Sequence, residues 1–417
     1  MKATGATPGA ERSLLRWRNA VFVIFWLSGF QFASWAARVP NVRDILAAST
    51  SEMGVLIFGL ALGAVLGLLA SSHVIVRLGA TASILIFLSL LSIGLVMVGL
   101  FATIAPGFVV IFVALLVLGA GNAITDVAMN LSGAANERRI GRTLMPMFHA
   151  AFSLGTMMGA GFGALSEQLG VPIGVHLTGV GVVAILTTRI TVRFLQPAEQ
   201  VADDQRRPAD DSMADPLADA PSAQGWRARL AVWKDPRVLV LGLIVLGMAF
   251  AEGTANDWLS LSMVDGYGTT NPVGAAIFGV FVTAMTLGRL LGGRVLDRFG
   301  RVLALRATSA LALIGLVLVI LGPNLAVAIV GVVLWGLGAS LGFPVGMSAA
   351  ADDPRTATAN VAAVATIGYF AFLIGPPLIG LLGEQVSLLS AFWLVGVLIV
   401  IAGLCAPAAR KPARRSR

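Results

Sequence analysis

Apolar residues run through this chain in blocks of about twenty, the length a helix needs to cross a bilayer. Twelve such blocks can be read, at 18–38, 51–72, 81–101, 107–133, 143–165, 172–192, 237–260, 273–293, 303–322, 325–347, 359–382 and 388–408. In lipid, helices of this length satisfy their own backbone hydrogen bonds, which lone strands cannot do. The pattern predicts an all-α, multi-pass membrane protein with twelve transmembrane helices.

The blocks also repeat. "GFQFAS" (29–34) matches "GMAFAE" (247–252), and "GVLIFG" (54–59) matches "GAAIFG" (274–279). "VRLGA" (76–80) matches "DRFGR" (297–301), "LGAG" (118–121) matches "WGLG" (335–338), and "LSEQ" (165–168) matches "LGEQ" (382–385). The offset stays between 217 and 221 throughout. This is a parallel repeat of six helices. It divides the chain into an N-terminal bundle at 1–193, a linker at 194–235 and a C-terminal bundle at 236–417. The linker is rich in Pro, Asp and Ala and poor in large apolar residues, so its bulk should lack fixed structure. Its end reads "WRARLAVWKDP", where Trp226, Leu230 and Trp233 share a helical face. That predicts a short amphipathic helix lying on the membrane surface; a loop is the alternative.

Charge changes the picture next. The sequence is 57% hydrophobic and 12% charged, with a net charge of +8. Soluble domains carry near twice that charged fraction. A positive balance can suggest nucleic acid, but here the distribution explains it. With the N-terminus in the cytoplasm, every one of the 29 Lys and Arg except Arg38 and Arg43 falls on the cytoplasmic side or at its boundary. That is the positive-inside rule, and it places both termini in the cytoplasm. Nucleic acid is not expected as a partner; the lipid bilayer is, and the basic C-terminal tail fits an anionic leaflet. The first apolar run is long enough to span, so no cleaved signal is expected. One cysteine, Cys405, excludes a disulfide within the chain. Cys405 and the three histidines do not cluster at metal-ligand spacing. "GLGASLGFP" has the glycines of a phosphate loop but lacks the lysine. No cofactor, no bound metal and no enzyme chemistry are expected.

Some polar residues sit where lipid would reject them. Asn122, Asp126 and Asn130 are spaced one helical turn apart and form a stripe in the fourth span. Asp126 is eleven residues from Glu137, roughly 16 Å in from that end. A carboxylate at that depth must face protein or water. His149, in the fifth span, lies at about the level of Asn130 and is a candidate proton relay. Glu252 lies about 22 Å above Arg237 in the seventh span, with Asn256 on the same face. These make Asp126, His149 and Glu252 the candidate proton-coupling residues. Asn122, Asn130 and Asn256 are candidate solute ligands, as are Gln31 and Trp35 in the first span and Asn360 and Tyr369 in the eleventh. Each has a structural alternative: a satisfied polar group between helices, or for Trp35 a place in an interfacial aromatic belt. The glycines of "GLALGAVLG" and "GTMMGAGFG" predict close helix packing.

The chain resembles the major facilitator superfamily. The resemblance rests on the two halves, the central loop and "GRVLDRFGR", in which Gly293, Asp297, Arg298, Gly300 and Arg301 reproduce that family's cytoplasmic loop signature. In the first half the signature is degraded: Val76 stands where the acid should be. "SWAARVPNVRD", "GNAITDVAMN", "FHAAFSLG", "AEGTANDW" and "GYFAFLIGPP" are similar to YbjJ-type inner-membrane transporters, which sit near the fucose permeases. That resemblance implies a secondary transporter of the bacterial inner membrane, driven by a proton gradient, with Asp126 at the position of the fucose permeases' coupling carboxylate. It also implies that the first and seventh helices approach each other when the outside closes. Arg38 and Asp257 lie at equivalent heights there and are expected to pair as a gate. The expected function is proton-coupled uptake of a small polar or sugar-like solute by a monomer. The alternatives are a drug–proton antiporter of the same fold, or a membrane sensor that transports nothing.

Overall fold

The structure, a computed structural model, describes residues 8–142, 144–196, 232–353 and 356–410. The first half holds α1 (Pro8–Ala36), α2 (Val39–Leu46), α3 (Thr50–Ile104), α4 (Phe108–Ile140), α5 (Met145–Gln168) and α6 (Ile173–Thr191). The second holds α7 (Pro236–Tyr267), α8 (Asn271–Leu321), α9 (Leu325–Ala339), α10 (Gly342–Ala350), α11 (Ala357–Val386) and α12 (Leu388–Cys405). No strand occurs among the described residues. Nine helical segments among them are long and apolar enough to cross a membrane. Their outward faces carry unpaired large apolar side chains such as Leu69, Ile104, Val109 and Leu404. In water such a surface would aggregate; in lipid it is solvated.

Local signals in the sequence set several boundaries. Ser49 and Glu52 form a reciprocal capping box that starts α3, with Glu52 N–H donating to Ser49 Oγ at 3.2 Å and Ser49 N–H to Glu52 Oε2 at 2.8 Å. Asp235 caps α7 and Asn324 caps α9. Gly141 ends α4 in the left-handed conformation.

Four boundaries differ from the sequence expectation. The polar gap expected between 72 and 81 is helical: α3 continues through it, and only Gly79 leaves helical geometry, at φ 78° and ψ 162°. α8 does the same at Gly300, at φ 73° and ψ 168°. Both kinks sit in the loop motif, at the 221-residue offset. A side chain at either glycine would be strained. The block at 325–347 is broken near Ser340 into α9 and α10. α2, a short helix begun with Pro40 and ended by Ala47 at φ 48°, fills a stretch read as a connection.

The described helices group into two compact units. One contains the described residues of Met1–Pro208 together with Thr270–Gly279; the other contains those of Ala209–Thr269 and Val280–Arg417. The opening turns of α8 thus belong with the first unit, where Asn271 Nδ2 donates to Asp44 Oδ2 at 2.8 Å. Glycine lets the helices within each unit touch backbone to backbone. A Cβ at Gly155 would strike the Trp26 carbonyl of α1, and one at Gly119 would strike the Leu60 carbonyl of α3. Gly63 and Gly159 make equivalent contacts, so the packing expected of these two glycine runs is present. Most of the linker, with the expected amphipathic helix at Trp226 and Leu230, lies outside the described residues. Its end, Val232–Lys234, is one 3₁₀ turn.

Candidate coupling and solute site

In the first unit, α4 carries the Asn122–Asp126–Asn130 stripe near its middle. Asp126 is fourteen residues from the end of α4 at Ile140, about 21 Å along the axis. Its side chain is exposed rather than packed between helices. Its partner is an amide on its own helix: Asn130 Nδ2 donates to Asp126 Oδ1 at 3.3 Å and to the Asp126 carbonyl at 2.8 Å. Asn122 turns toward α1, accepting from Ser28 Oγ at 3.3 Å. His149 on α5 is also exposed, and its ring stands edge-on to Phe25 with centroids 5.3 Å apart. The partner the structure gives Asp126 is therefore Asn130, not His149.

Two expected solute ligands prove to be internal. Gln31 is fully buried; its Oε1 accepts from Ser92 Oγ at 2.6 Å and its Nε2 donates to the Leu27 carbonyl at 3.4 Å. Trp35 is buried as well. Both share the helical phase of Ile24, Leu27 and Ser28, the face of α1 that its own bundle covers. They bind the bundle together.

One of the two expected gate residues has partners within its own unit. Arg38 is 1% exposed, and its guanidinium is committed inside the first unit. It pairs with Glu167, donates from Nε to His176 Nδ1 at 3.0 Å, and donates from Nη2 to the Val171 carbonyl at 2.9 Å. Asn41 Nδ2 donates to the other Glu167 oxygen at 3.3 Å. This knot ties the end of α1 to α5 and α6. Glu167 is thus the carboxylate that Arg38 pairs with inside its own unit, while Asp257 is half-buried on α7.

In the second unit, Glu252 lies sixteen residues into α7 and fifteen from its end. It is not alone: Arg289 Nη2 donates to its Oε1 at 2.8 Å. The sequence placed Arg289 at the cytoplasmic boundary. On α8 it stands eleven residues before the Gly300 kink, about 16 Å deeper than that bend. Its Nε is buried and has no acceptor among the described residues. Asn256, one turn on from Glu252, is half-buried. Asn360 is in the first turn of α11, donating to Thr356 Oγ1 at 3.0 Å, so it marks a helix end rather than a mid-helix ligand. Tyr369 is exposed further along α11.

The loop motif does what its residue types allow. Gly300 breaks the helix, and Arg301 reaches back, donating to Asp352 Oδ1 at 2.7 Å and Ser348 Oγ at 2.8 Å. The other Asp352 oxygen accepts from Arg237 at the start of α7, at 2.9 Å. Arg298 lies over the Phe299 ring at 5.4 Å. Gly293 and Asp297 are exposed, and Asp297 lines a cleft of about 670 Å³ with Arg301, Ser348 and Arg410. In the first half, where Val76 replaces the acid, the staple is different: Gln196 accepts from Arg139 at 2.7 Å and from Thr81 at 3.0 Å.

Two bundles with matching kinked loop motifs decide the family, and the whole sequence agrees: it matches the Major Facilitator Superfamily over residues 21–371 and 258–417. The chain belongs to the Major Facilitator Superfamily. It is 30% identical to the uncharacterized transporter y4wD of Sinorhizobium fredii, over 95% of this chain and 99% of that protein. It is 30% identical to an uncharacterized MFS-type transporter of Yersinia pestis, over 90% of this chain and 91% of that one. Among solved structures it superposes on the nucleoside transporter NupG with a TM-score of 0.71 at 15% identity, covering 95% of this chain and all of that one. A bacterial homologue of the lysosomal transporter Spinster gives 0.66 at 16% identity, with 97% of each covered. These structures share the fold. This superfamily member is thus a multi-pass membrane transporter, not an enzyme.

Sequence reasoning missed Arg289, Glu167, His176 and Asp352 in this transporter. Their signal was pairing: each is a charged or titratable group whose partner is 37 or more positions away in sequence.

Proposed function

We propose that this protein is a proton-coupled secondary transporter that takes up a small polar solute by alternating access. The observation that carries the reading is Asp126: an exposed carboxylate at mid-helix, with an asparagine as its partner and no ion pair to a cation among the described residues. Lipid would reject such a group, so it faces water within the bilayer. A carboxylate free of a counter-ion can gain and lose a proton as the cavity around it changes. His149, exposed on the neighbouring helix, relays protons to that region. The Glu252–Arg289 pair supplies a charge-balanced polar site in the other unit, with Asn256 beside it.

The finer architecture follows the kinks. The two helices bent at Gly79 and Gly300 each cross twice, and α5 adds a crossing, which brings the nine apolar segments to twelve. Even crossings and the positive-inside pattern leave both termini in the cytoplasm. The membrane is the inner membrane of a bacterium, the driving force is the proton gradient, and the working unit is a monomer with lipid as its surroundings. Kinship with the fucose-permease branch is supported by the sequence motifs alone. Purified protein in proteoliposomes tests the function: an imposed pH gradient drives accumulation of a solute, and that solute drives proton influx. Solute exchange with no proton movement would overturn the coupling; no flux at all would favour a sensor.

A further inference from the structure

The Glu252–Arg289 pair is the least expected feature of the second unit. Arginine within a membrane-spanning helix is costly unless it is paired or faces water. A buried ion pair adds little net stability over an apolar pair of the same size. Packing alone gives no reason to keep both charges. Nor is the pair sealed: the Arg289 side chain is 33% exposed and the Glu252 side chain 17%. One guanidinium nitrogen, Nη2, binds Glu252, while the buried Nε has no acceptor among the described residues. The arginine thus keeps donors to spare beside a carboxylate that accepts on one oxygen from it. Asn256, one turn along α7, adds an amide that both donates and accepts.

A ligand entering here must compete with a 2.8 Å ion pair. A neutral polyol brings no charge with which to do so. A simple carboxylate could take Arg289 but would strand the Glu252 charge, and a simple amine would strand Arg289. Stranding either charge in a half-buried site between helices is unfavourable. A zwitterion does neither. Its carboxylate takes Arg289 as a charge-assisted, forked pair, and its ammonium takes Glu252. One ion pair is exchanged for two, and the site stays neutral overall. Trp35, the aromatic ring expected among the solute ligands, is buried in the other unit.

We infer that Glu252 and Arg289 form the solute site and that the solute is a small zwitterion, an amino acid or a close relative with its ammonium and carboxylate a few bonds apart. This rests on the transporter reading and names its substrate class. Asp126 then carries the proton and the Glu252–Arg289 pair carries the solute.

The test uses the purified full-length transporter with four matched sets of ligands: glycine, alanine and β-alanine; acetate and propionate; methylamine and ethylamine; glycerol, xylitol and glucose. Melting temperature reports binding, and counterflow in proteoliposomes reports transport. Zwitterions are expected to raise the melting temperature and to exchange; the single-charge and neutral sets are not. Glu252→Gln should weaken zwitterion binding by at least about tenfold. Because that variant strands Arg289 and can unfold, Glu252→Gln with Arg289→Gln is the second arm. It restores neutrality, so it should keep the parent melting temperature and still lose the zwitterion shift. The proposal is overturned if acids, amines or polyols act as well as zwitterions, if no zwitterion acts, or if the double variant binds zwitterions normally. Counterflow of a polyol with no zwitterion response sinks the substrate class and leaves the transporter standing. Zwitterion binding with no flux of anything does the reverse.

Discussion

Glu167→Gln should be among the more destabilising single-atom-scale changes in this protein. The substitution keeps the shape of the side chain and removes its charge. Arg38 is then left 1% exposed with neutral acceptors only: His176 Nδ1, the Val171 carbonyl and the new amide oxygen. Removing one partner of a buried ion pair costs about 3–5 kcal/mol, since the other charge stays desolvated. Spread over a cooperative unit of roughly 200 residues, that corresponds to a fall of about 10 °C in melting temperature. A thermal-shift assay in detergent reads it directly. The double change Arg38→Met with Glu167→Met removes both charges. It should recover most of the loss, short of about 1 kcal/mol for the bonds that His176 and Asn41 forfeit. A Glu167→Gln protein melting within about 2 °C of the parent would refute this account of the knot. So would a double variant no better than the single one.

Two further expectations are independent of that cluster. Gly300 and Gly293 both have room for a Cβ, but only Gly300 sits at positive φ. Gly300→Ala should therefore cost about 1 kcal/mol or more, and Gly293→Ala should be neutral or stabilising by roughly 0.5 kcal/mol; equal melting temperatures for the two would be inconsistent with the kink being real. His149→Gln removes the imidazole that a proton relay requires, so it should move the pH profile of uptake. A large loss of stability with an unchanged profile would make His149 structural.

The helices were legible because bilayer thickness and backbone hydrogen bonding leave a chain this apolar little choice. The repeat was legible because its landmarks, including Gly79 and Gly300, kept their spacing. The glycine packing at Gly63, Gly155 and Gly159 also read well, because small-residue spacing along one helix is a local signal. What failed was rotation and partnership. Gln31 and Trp35 lie at useful depth but on the covered face of α1, and only the position of the neighbouring helices shows that. Arg38 was assigned to Asp257 because the repeat sets them at one height. The structure gives it Glu167, which lies 129 positions away in sequence at the end of α5. Arg289 was taken for a boundary residue because its helix seemed to end nearby; the helix instead runs on to Gly300, eleven residues further. Hydropathy records how deep a residue lies, while the pairing of charges depends on how helices turn toward each other.

The central claim is that Asp126 carries the proton that drives uptake, and Asp126→Asn tests it most directly. The amide is isosteric and keeps the stripe with Asn122 and Asn130, so the fold and the solute site should survive. In proteoliposomes the account predicts that this variant still exchanges solute in counterflow at near the parental rate, yet no longer concentrates solute when a pH gradient is imposed. Undiminished, gradient-driven accumulation by Asp126→Asn would contradict it.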